Sequence, residues 1–144
     1  MKILVADDDE VFTSLIEGCL SSHHDVTAVH DGNDVVTAFI DGHRLNEPYD
    51  VILLDISLPN MTGDKILQRI RKHEKRHFFG KNRVYIAITS GYSDTNVIRQ
   101  SISDGCDHYY IKPIHIEQIT DKLNSIVPQM ISHRVDYSAI TLKP

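Results

Sequence analysis

The chain has 144 residues, of which 41% are hydrophobic, and a formal net charge of -5. This length suits one compact core, and the acidic balance disfavours a nucleic-acid-binding module, whose phosphate contacts need clustered Lys and Arg. The N-terminal apolar run is too short for a signal peptide, and no later run approaches the roughly 20 apolar residues of a membrane span. We therefore expect a cytoplasmic protein without direct nucleic-acid contacts or membrane insertion.

Short apolar runs alternate with longer amphipathic stretches, which is the pattern of successive β-α units around a parallel sheet. The first strand is predicted at 3–6, and the helix after it carries an apolar stripe that faces a sheet. That stripe consists of Val11, Phe12, Leu15, Ile16, Cys19 and Leu20. A second strand is predicted at 26–30, and the unbroken apolar run 51–54 predicts a central strand covered on both faces.

The second half of the chain continues this alternation. The helix after Gly63 is predicted to dissolve into a solvated basic stretch at 71–77, and strands follow at 84–88 and 109–111 on either side of a helix at 94–103. A last helix begins near His115 and is predicted to end before Pro128, because proline interrupts helical hydrogen bonding. The sequence thus predicts one α/β domain at 1–127, with five strands and five helices, and a tail of unknown role at 128–144.

Cysteine and histidine residues give no sign of a transition-metal centre. Cys19 and Cys106 lie far apart in apolar contexts, so we expect buried thiols in a reducing compartment. His73 and His77 stand at i,i+4, but the Lys and Arg around them disfavour a bound cation. The other histidines are expected to be solvated surface groups.

The residues that carry chemistry directly follow predicted strands. They are Asp7, Asp8 and Asp9 after the first strand, Asp55 after the third, Thr89 after the fourth and Lys112 after the fifth. In an open parallel sheet the carboxyl ends of the strands line the ligand crevice, so we expect these side chains to meet. Of the three consecutive aspartates, Asp7 and Asp8 are favoured as the site pair because they directly follow the apolar strand.

Carboxylates held close together repel one another, and a divalent cation with oxygen ligands relieves this repulsion. Mg²⁺ fits best, because it accepts one or two carboxylates, retained waters and a phosphate oxygen. A carboxylate can also attack phosphorus when a metal and a lysine neutralise the transferring group. We therefore predict Asp55 as a phosphoryl acceptor, with Thr89 and Lys112 holding the phosphoryl oxygens.

Taken together, these residues resemble the response-regulator receiver family over residues 2–127. The resemblance rests on KILVADDDE at 2–10, DVILLDISLP at 50–59, Gly63, IAITS at 86–90 and GCDHYYIKP at 105–113. It implies a flavodoxin-like, doubly wound α/β fold with a five-stranded parallel sheet of order 2-1-3-4-5.

The same resemblance implies roles for individual residues. Asp8 would bind Mg²⁺ directly and Asp7 largely through water, with Asp55 and the backbone carbonyl of Ser57 as further ligands. Thr89 and Tyr109 would act as the switch pair, with Thr89 moving toward the phosphoryl group and Tyr109 turning inward. The Lys112-Pro113 peptide bond would be cis.

The function predicted is that of a two-component response regulator, a signalling switch rather than a turnover enzyme. Its phosphoryl donor would be a histidine kinase or a histidine phosphotransfer protein, and its output would pass to a downstream protein that the sequence does not identify, with dimerisation as a further option. Two alternatives remain: a receiver-fold interaction module independent of phosphorylation, and a haloacid-dehalogenase-type phosphatase with Asp7 as nucleophile and Asp9 as acid/base.

Overall fold

The computed structural model describes residues 1–77 and 83–140, with side chains described as far as residue 130. The chain divides into two compact units, Met1–Pro113 and Ile114 onward, and each is described by itself. The first unit holds every strand, in the order β1 (Lys2–Ala6), α1 (Glu10–Leu20), β2 (Asp25–Val29), α2 (Gly32–Arg44), β3 (Val51–Asp55), α3 (Gly63–His77), β4 (Tyr85–Ser90), α4 (Thr95–Ser103) and β5 (His108–Ile111).

The five strands form one parallel sheet in the order β2-β1-β3-β4-β5, which confirms the predicted order 2-1-3-4-5. Each of the five residues of β3 is buried, because the strand lies at the centre of the sheet and is covered on both faces. Ala6 pairs with Leu54, and Asp55 pairs with Thr89. This register brings the carboxyl ends of β1, β3 and β4 to one edge.

Aspartate side chains begin three of the helices. Asp9 accepts hydrogen bonds from the backbone N–H groups of Val11 and Phe12 at the start of α1, while Asp31 and Asp94 cap α2 and α4 in the same way. Such caps satisfy N–H groups that have no partner within the helix.

The apolar stripe of α1 is narrower than the sequence predicts. Ile16 and Leu20 are buried, but Val11 and Leu15 are 80% and 57% exposed, and Cys19 is exposed too. The six residues of the predicted stripe form two rows, one with Val11, Leu15 and Cys19 and one with Phe12, Ile16 and Leu20. These rows lie about 100° apart around the helix, and only the row with Ile16 and Leu20 reaches the sheet. The prediction that Cys19 is a buried thiol is therefore wrong, whereas Cys106 is buried as predicted.

The basic stretch at 71–77 was predicted as a solvated helix end and loop, and all of it belongs to α3. The solvated helix end is confirmed for its exposed residues, and the loop is wrong. Glu74 is 4% exposed, and its carboxylate accepts hydrogen bonds from Arg71 Nη1 at 2.8 Å and from the backbone N–H of Val84 at 2.7 Å. Arg71 also donates to Asp107 Oδ2 at 2.8 Å. These charge-assisted bonds hold the last turns of α3 against the starts of β4 and β5.

The second unit contains α5 (Ile116–Ile140), which continues through Pro128. The prediction that this helix ends before Pro128 is wrong. A proline inside a helix removes one N–H donor and can bend the helix, yet the residues on either side keep helical geometry here. The domain boundary at residue 127 stays a prediction. Over the described residues, the helices are too short or too polar to cross a membrane.

Candidate functional site

Three carboxylates meet at the carboxyl edge of the sheet. Asp7 follows β1 and Asp55 ends the neighbouring β3, and together with Asp8 each offers an oxygen within 4.8 Å of the others. Asp7 and Asp55 are buried, at 1% and 3% exposed, whereas Asp8 is exposed. The strand register produces this cluster, because Ala6 and Leu54, the residues just before Asp7 and Asp55, are paired.

Lys112 brings a positive charge to this cluster from the end of β5. Its Nζ lies 2.9 Å from Asp7 Oδ2 and 3.2 Å from Asp55 Oδ2, so one ammonium group donates to both buried carboxylates. Burial by itself lowers the pKa of Lys112, but its hydrogen bonds and charge interactions with the two aspartates outweigh this effect and raise it. The lysine therefore remains charged at neutral pH.

Burial raises the pKa of Asp55, and the nearby charge of Asp7 adds to the effect. The backbone N–H of Ser57, which donates to Asp55 Oδ1 at 3.0 Å, and the ammonium of Lys112 act in the opposite direction. Both oxygens of Asp55 thus have a donor. The carboxylate is oriented by its neighbours but remains less well solvated than a surface aspartate.

The cluster fits a divalent cation of the Mg²⁺ type. Three carboxylates and one ammonium leave a formal charge of -2 within a few ångströms. Carboxylate oxygens are hard ligands, and the exposed Asp8 leaves one side open to water and to a phosphate oxygen. When bound, such an ion would neutralise charge on a transferring phosphoryl group.

The predicted switch residues lie on β4 and β5. Thr89 is 1% exposed and stands beside Asp55 in the strand register, and its carbonyl accepts from the backbone N–H of Ile56 at 3.2 Å. Tyr109 is half-buried, and its hydroxyl donates to the carbonyl of Tyr92 at 3.0 Å, in the loop between β4 and α4. The Lys112-Pro113 peptide bond is cis, as predicted.

Sequence reasoning missed two residues beside the site. The ring Nδ1 of His30 lies 2.8 Å from the backbone carbonyl of Asp7, and Lys112 Nζ stands 5.7 Å from the centre of the Phe12 ring. The position of His30 directly after β2 could have drawn attention to it. His24, His30, His43 and His108 are all half-buried, and burial lowers the pKa of His24 and His43, so the prediction of solvated surface groups is wrong for these four histidines.

A glycine shapes the loop that follows Asp55. The backbone N–H of Gly63 donates to the carbonyl of Ile56 at 2.9 Å, and a Cβ at this position would lie 2.6 Å from the carbonyl oxygen of Asp55. A side chain would therefore push α3 away from the end of β3. This contact explains why a glycine stands at the position that the receiver-like pattern assigns to it.

Comparison with known proteins agrees with this fold and site. The sequence model of the response regulator receiver domain matches residues 3–124, so the chain belongs to the response regulator receiver domain family, whose standard function is a phosphorylation-based switch. The receiver domain of the Francisella response regulator 1452 superposes with a TM-score of 0.75 and 25% identity, over 90% of this chain and 98% of that one.

Curated relatives of the chain are longer proteins. The cell cycle transcriptional regulator CtrA of Caulobacter vibrioides is 28% identical over 137 residues, which are 92% of this chain and 53% of that protein. The 3',5'-cyclic-nucleotide phosphodiesterase regA of Dictyostelium discoideum is 29% identical over 137 residues, 93% of this chain and 16% of that protein. The chain thus spans about half of CtrA and a smaller part of regA.

Proposed function

We propose that this receiver accepts a phosphoryl group on Asp55 and thereby changes the partner that it binds. The observation that carries the proposal is the shared ammonium of Lys112, at 2.9 Å from Asp7 and 3.2 Å from Asp55. A carboxylate oxygen of Asp55 attacks phosphorus, and the bond from phosphorus to the donor's nitrogen or oxygen breaks with departure of the donor group. Lys112 is placed to neutralise charge that develops on the phosphoryl oxygens.

The proposal gives the other residues of the edge distinct tasks. Asp7 and Asp8, with the carboxylate of Asp55 and the backbone carbonyl of Ser57, would hold Mg²⁺. The hydroxyl of Thr89, beside Asp55 in the strand register, would donate to a phosphoryl oxygen after transfer. Tyr109 would follow Thr89 inward once its hydrogen bond to the Tyr92 carbonyl is released.

The donor in this proposal is a histidine kinase or a histidine phosphotransfer protein, and the acceptor of the signal is a downstream protein or a second copy of the chain. The reaction is self-catalysed and stoichiometric, so the chain acts as a switch without turnover of an external substrate. A cytoplasmic location belongs to the same proposal, and the two free cysteines, Cys19 and Cys106, suit a reducing compartment.

A dehalogenase-type phosphatase would need Asp9 as its acid/base, and the geometry argues against this role. Both N–H groups that Asp9 caps, those of Val11 and Phe12, donate to its Oδ1, at 3.0 and 3.1 Å. The exposed carboxylate stabilises the start of α1, so it is engaged as a helix cap. Membership of the receiver family points the same way.

The test is incubation of the purified chain with magnesium chloride and acetyl phosphate, followed by intact mass measurement. We expect a gain of one phosphoryl group that is lost in Asp55→Asn and retained in the matched control Asp25→Asn, an exposed aspartate at the start of β2. A gain that persists in Asp55→Asn and disappears in Asp7→Asn would favour the phosphatase. No gain in the unmodified chain would favour an interaction module independent of phosphorylation.

A further inference from the structure

A groove between α2 and α3 combines an apolar floor with a basic rim. The cavity measures about 480 Å³. Its lining includes Val36, Phe39 and Ile40 of α2, which form its floor, and Arg69, Lys72 and Arg76 of α3, which form its rim. Phe39 is 1% exposed, so the apolar surface open to a partner comes from the half-buried Val36 and from Ile40, which is 41% exposed. We call this surface the basic groove.

The positive charge of the basic groove is concentrated on one helix. Six of the 15 Lys and Arg residues of this acidic chain lie in α3. Lys65, Arg69, Lys72 and Arg76 follow one another at four- and three-residue spacing, so they form one stripe roughly 16 Å long. A second cavity of about 330 Å³, lined by Lys65, Arg69 and Lys72 among others, continues the groove along this stripe.

The stripe has no acidic counterpart of its own. Within residues 1–77 and 83–130, Arg71 is the one Lys or Arg of α3 that forms an ion pair. Like charges at i,i+3 and i,i+4 destabilise a helix by a few tenths of a kcal/mol per pair, and surface helices commonly relieve this with acids at those positions. An external anionic group would provide the missing opposite charge.

We propose that the basic groove docks an acidic amphipathic helix of a partner protein. The floor residues 36, 39 and 40 lie on one face of α2, so a third helix can lie in the furrow between α2 and α3 with its apolar side down. Asp or Glu residues at three- and four-residue spacing on that helix would then face Arg69, Lys72 and Arg76. The apolar floor favours such a helix over a nucleic acid or a free phosphate, which have no apolar face to bury.

Occupation of the basic groove leaves accessible the carboxyl edge of the sheet that carries Asp7, Asp55 and Lys112, which we call the acceptor edge. α3 begins beside that edge, where the Gly63 N–H donates to the Ile56 carbonyl, and the helix then runs away from it. Arg69 lies at the middle of α3, and Lys72 and Arg76 lie in its second half. The partner can therefore remain bound while Asp55 exchanges phosphoryl groups, which separates this surface from the proposed phosphotransfer.

The test uses a fluorescent helical peptide of about 18 residues, or five turns, with leucines on one face and glutamates on the other. Fluorescence anisotropy of the full chain with this probe should show binding that weakens at least about 10-fold in the triple variant Arg69→Ala, Lys72→Ala, Arg76→Ala, because three exposed ion pairs are lost together. Ile40→Ser should also weaken it. The matched control is Lys75→Ala, because Lys75 is an exposed cation of α3 that lies outside both cavities.

A far-UV circular dichroism spectrum equal to that of the unmodified chain would show that each variant is folded. Equal loss of peptide binding in Lys75→Ala and in the triple variant would overturn the proposal, because it would mean that net charge alone attracts the probe. Absence of peptide binding would overturn it as well. So would tighter binding of a short DNA duplex or of phosphatidylglycerol vesicles than of the peptide, since the partner would then be a nucleic acid or a membrane. None of these results depends on phosphorylation, so failure here leaves the proposed function intact.

Discussion

The two cysteines occupy opposite environments in the protein. Cys19 is exposed on α1, whereas Cys106 is 8% exposed, and burial followed by the charge of Asp107 raises the pKa of its thiol. The thiolate is the reactive form, so both effects protect Cys106 from alkylation. We expect one equivalent of iodoacetamide to modify native protein at Cys19, and Cys106 to react only in denaturant. Peptide mapping by mass spectrometry checks this, and rapid native modification of Cys106 would contradict the burial.

Substitution of two glycines by alanine is expected to change the stability of the protein in opposite directions. A Cβ on Gly32, at the start of α2, would lie 2.1 Å from the carbonyl oxygen of Met61, whereas a Cβ on Gly18 in α1 meets no atom within 4 Å. Gly32→Ala should destabilise the protein by about 2 kcal/mol or more through steric displacement of the backbone. Gly18→Ala should stabilise it by about 0.5–1 kcal/mol, because alanine has a higher helix propensity than glycine.

The measurement is urea denaturation of both variants, followed by circular dichroism. The sign of each change in unfolding free energy is the decisive result, since the two substitutions add the same methyl group. Stabilisation by Gly32→Ala would mean that the contact between α2 and the loop holding Met61 is looser than the structure has it.

At the scale of whole elements, one buried ionic network ties α3 to the amino ends of β4 and β5. The carboxylate of Glu74 accepts hydrogen bonds from Arg71 and from the backbone N–H of Val84. The carboxylate of Asp107 accepts hydrogen bonds from Arg71, Arg83 and the backbone N–H of Ile86. Removal of Glu74 leaves Arg71 paired with Asp107, but Arg71 loses one of its two carboxylates and the buried N–H of Val84 loses its acceptor, which costs about 1–3 kcal/mol. We expect this loss of unfolding free energy in Glu74→Ala.

Lys75→Ala is the matched control for this network, because its side chain is exposed one position along the same helix. It should change the free energy of unfolding by less than about 0.5 kcal/mol. Urea denaturation with an unchanged dependence on denaturant concentration would attribute the difference to the native state. Equal stability of the two variants would exclude a structural role for Glu74.

At the scale of the whole molecule, three half-buried histidines contribute to the pH dependence of stability. Burial lowers the pKa of His24, His43 and His73 below the ordinary value of 6.5. The histidines of the unfolded chain therefore bind protons near pH 6.5, whereas those of the folded protein bind them only at lower pH. As a result, the free energy of unfolding is highest above pH 6.5 and decreases as the pH falls below this value.

Urea midpoints measured between pH 7.5 and 5 test this sign. The double variant His43→Gln, His73→Gln should flatten the decline, whereas the control His115→Gln, at an exposed position, should leave it unchanged. A steeper decline in the double variant would show that other groups dominate the titration.

Local sequence patterns predict much of the fold, because apolar runs indicate the strands and helices, and the residues after the strands indicate the site. The cluster of Asp7, Asp55 and Lys112 was predictable from the strand ends. The order of the sheet and the cis Lys112-Pro113 bond were predictable only through the resemblance to the receiver family. The rotation of α1 and the burial of Glu74 were not, since each depends on partners distant in the chain. The predicted helix end before Pro128 was wrong because proline usually interrupts a helix, whereas α5 continues through it.

Assembly of the acceptor edge has a consequence for synthesis of the protein. Lys112 contacts Asp7 across 105 positions of the chain and Asp55 across 57. Contacts of such long sequence separation form late in folding, because a large loop must close before they contribute. A nascent chain therefore lacks this arrangement until Lys112 has left the ribosome. Phosphoryl acceptance would then begin only after Lys112 has emerged and contacts Asp7 and Asp55, and labelling with acetyl phosphate would report folding as well as chemistry.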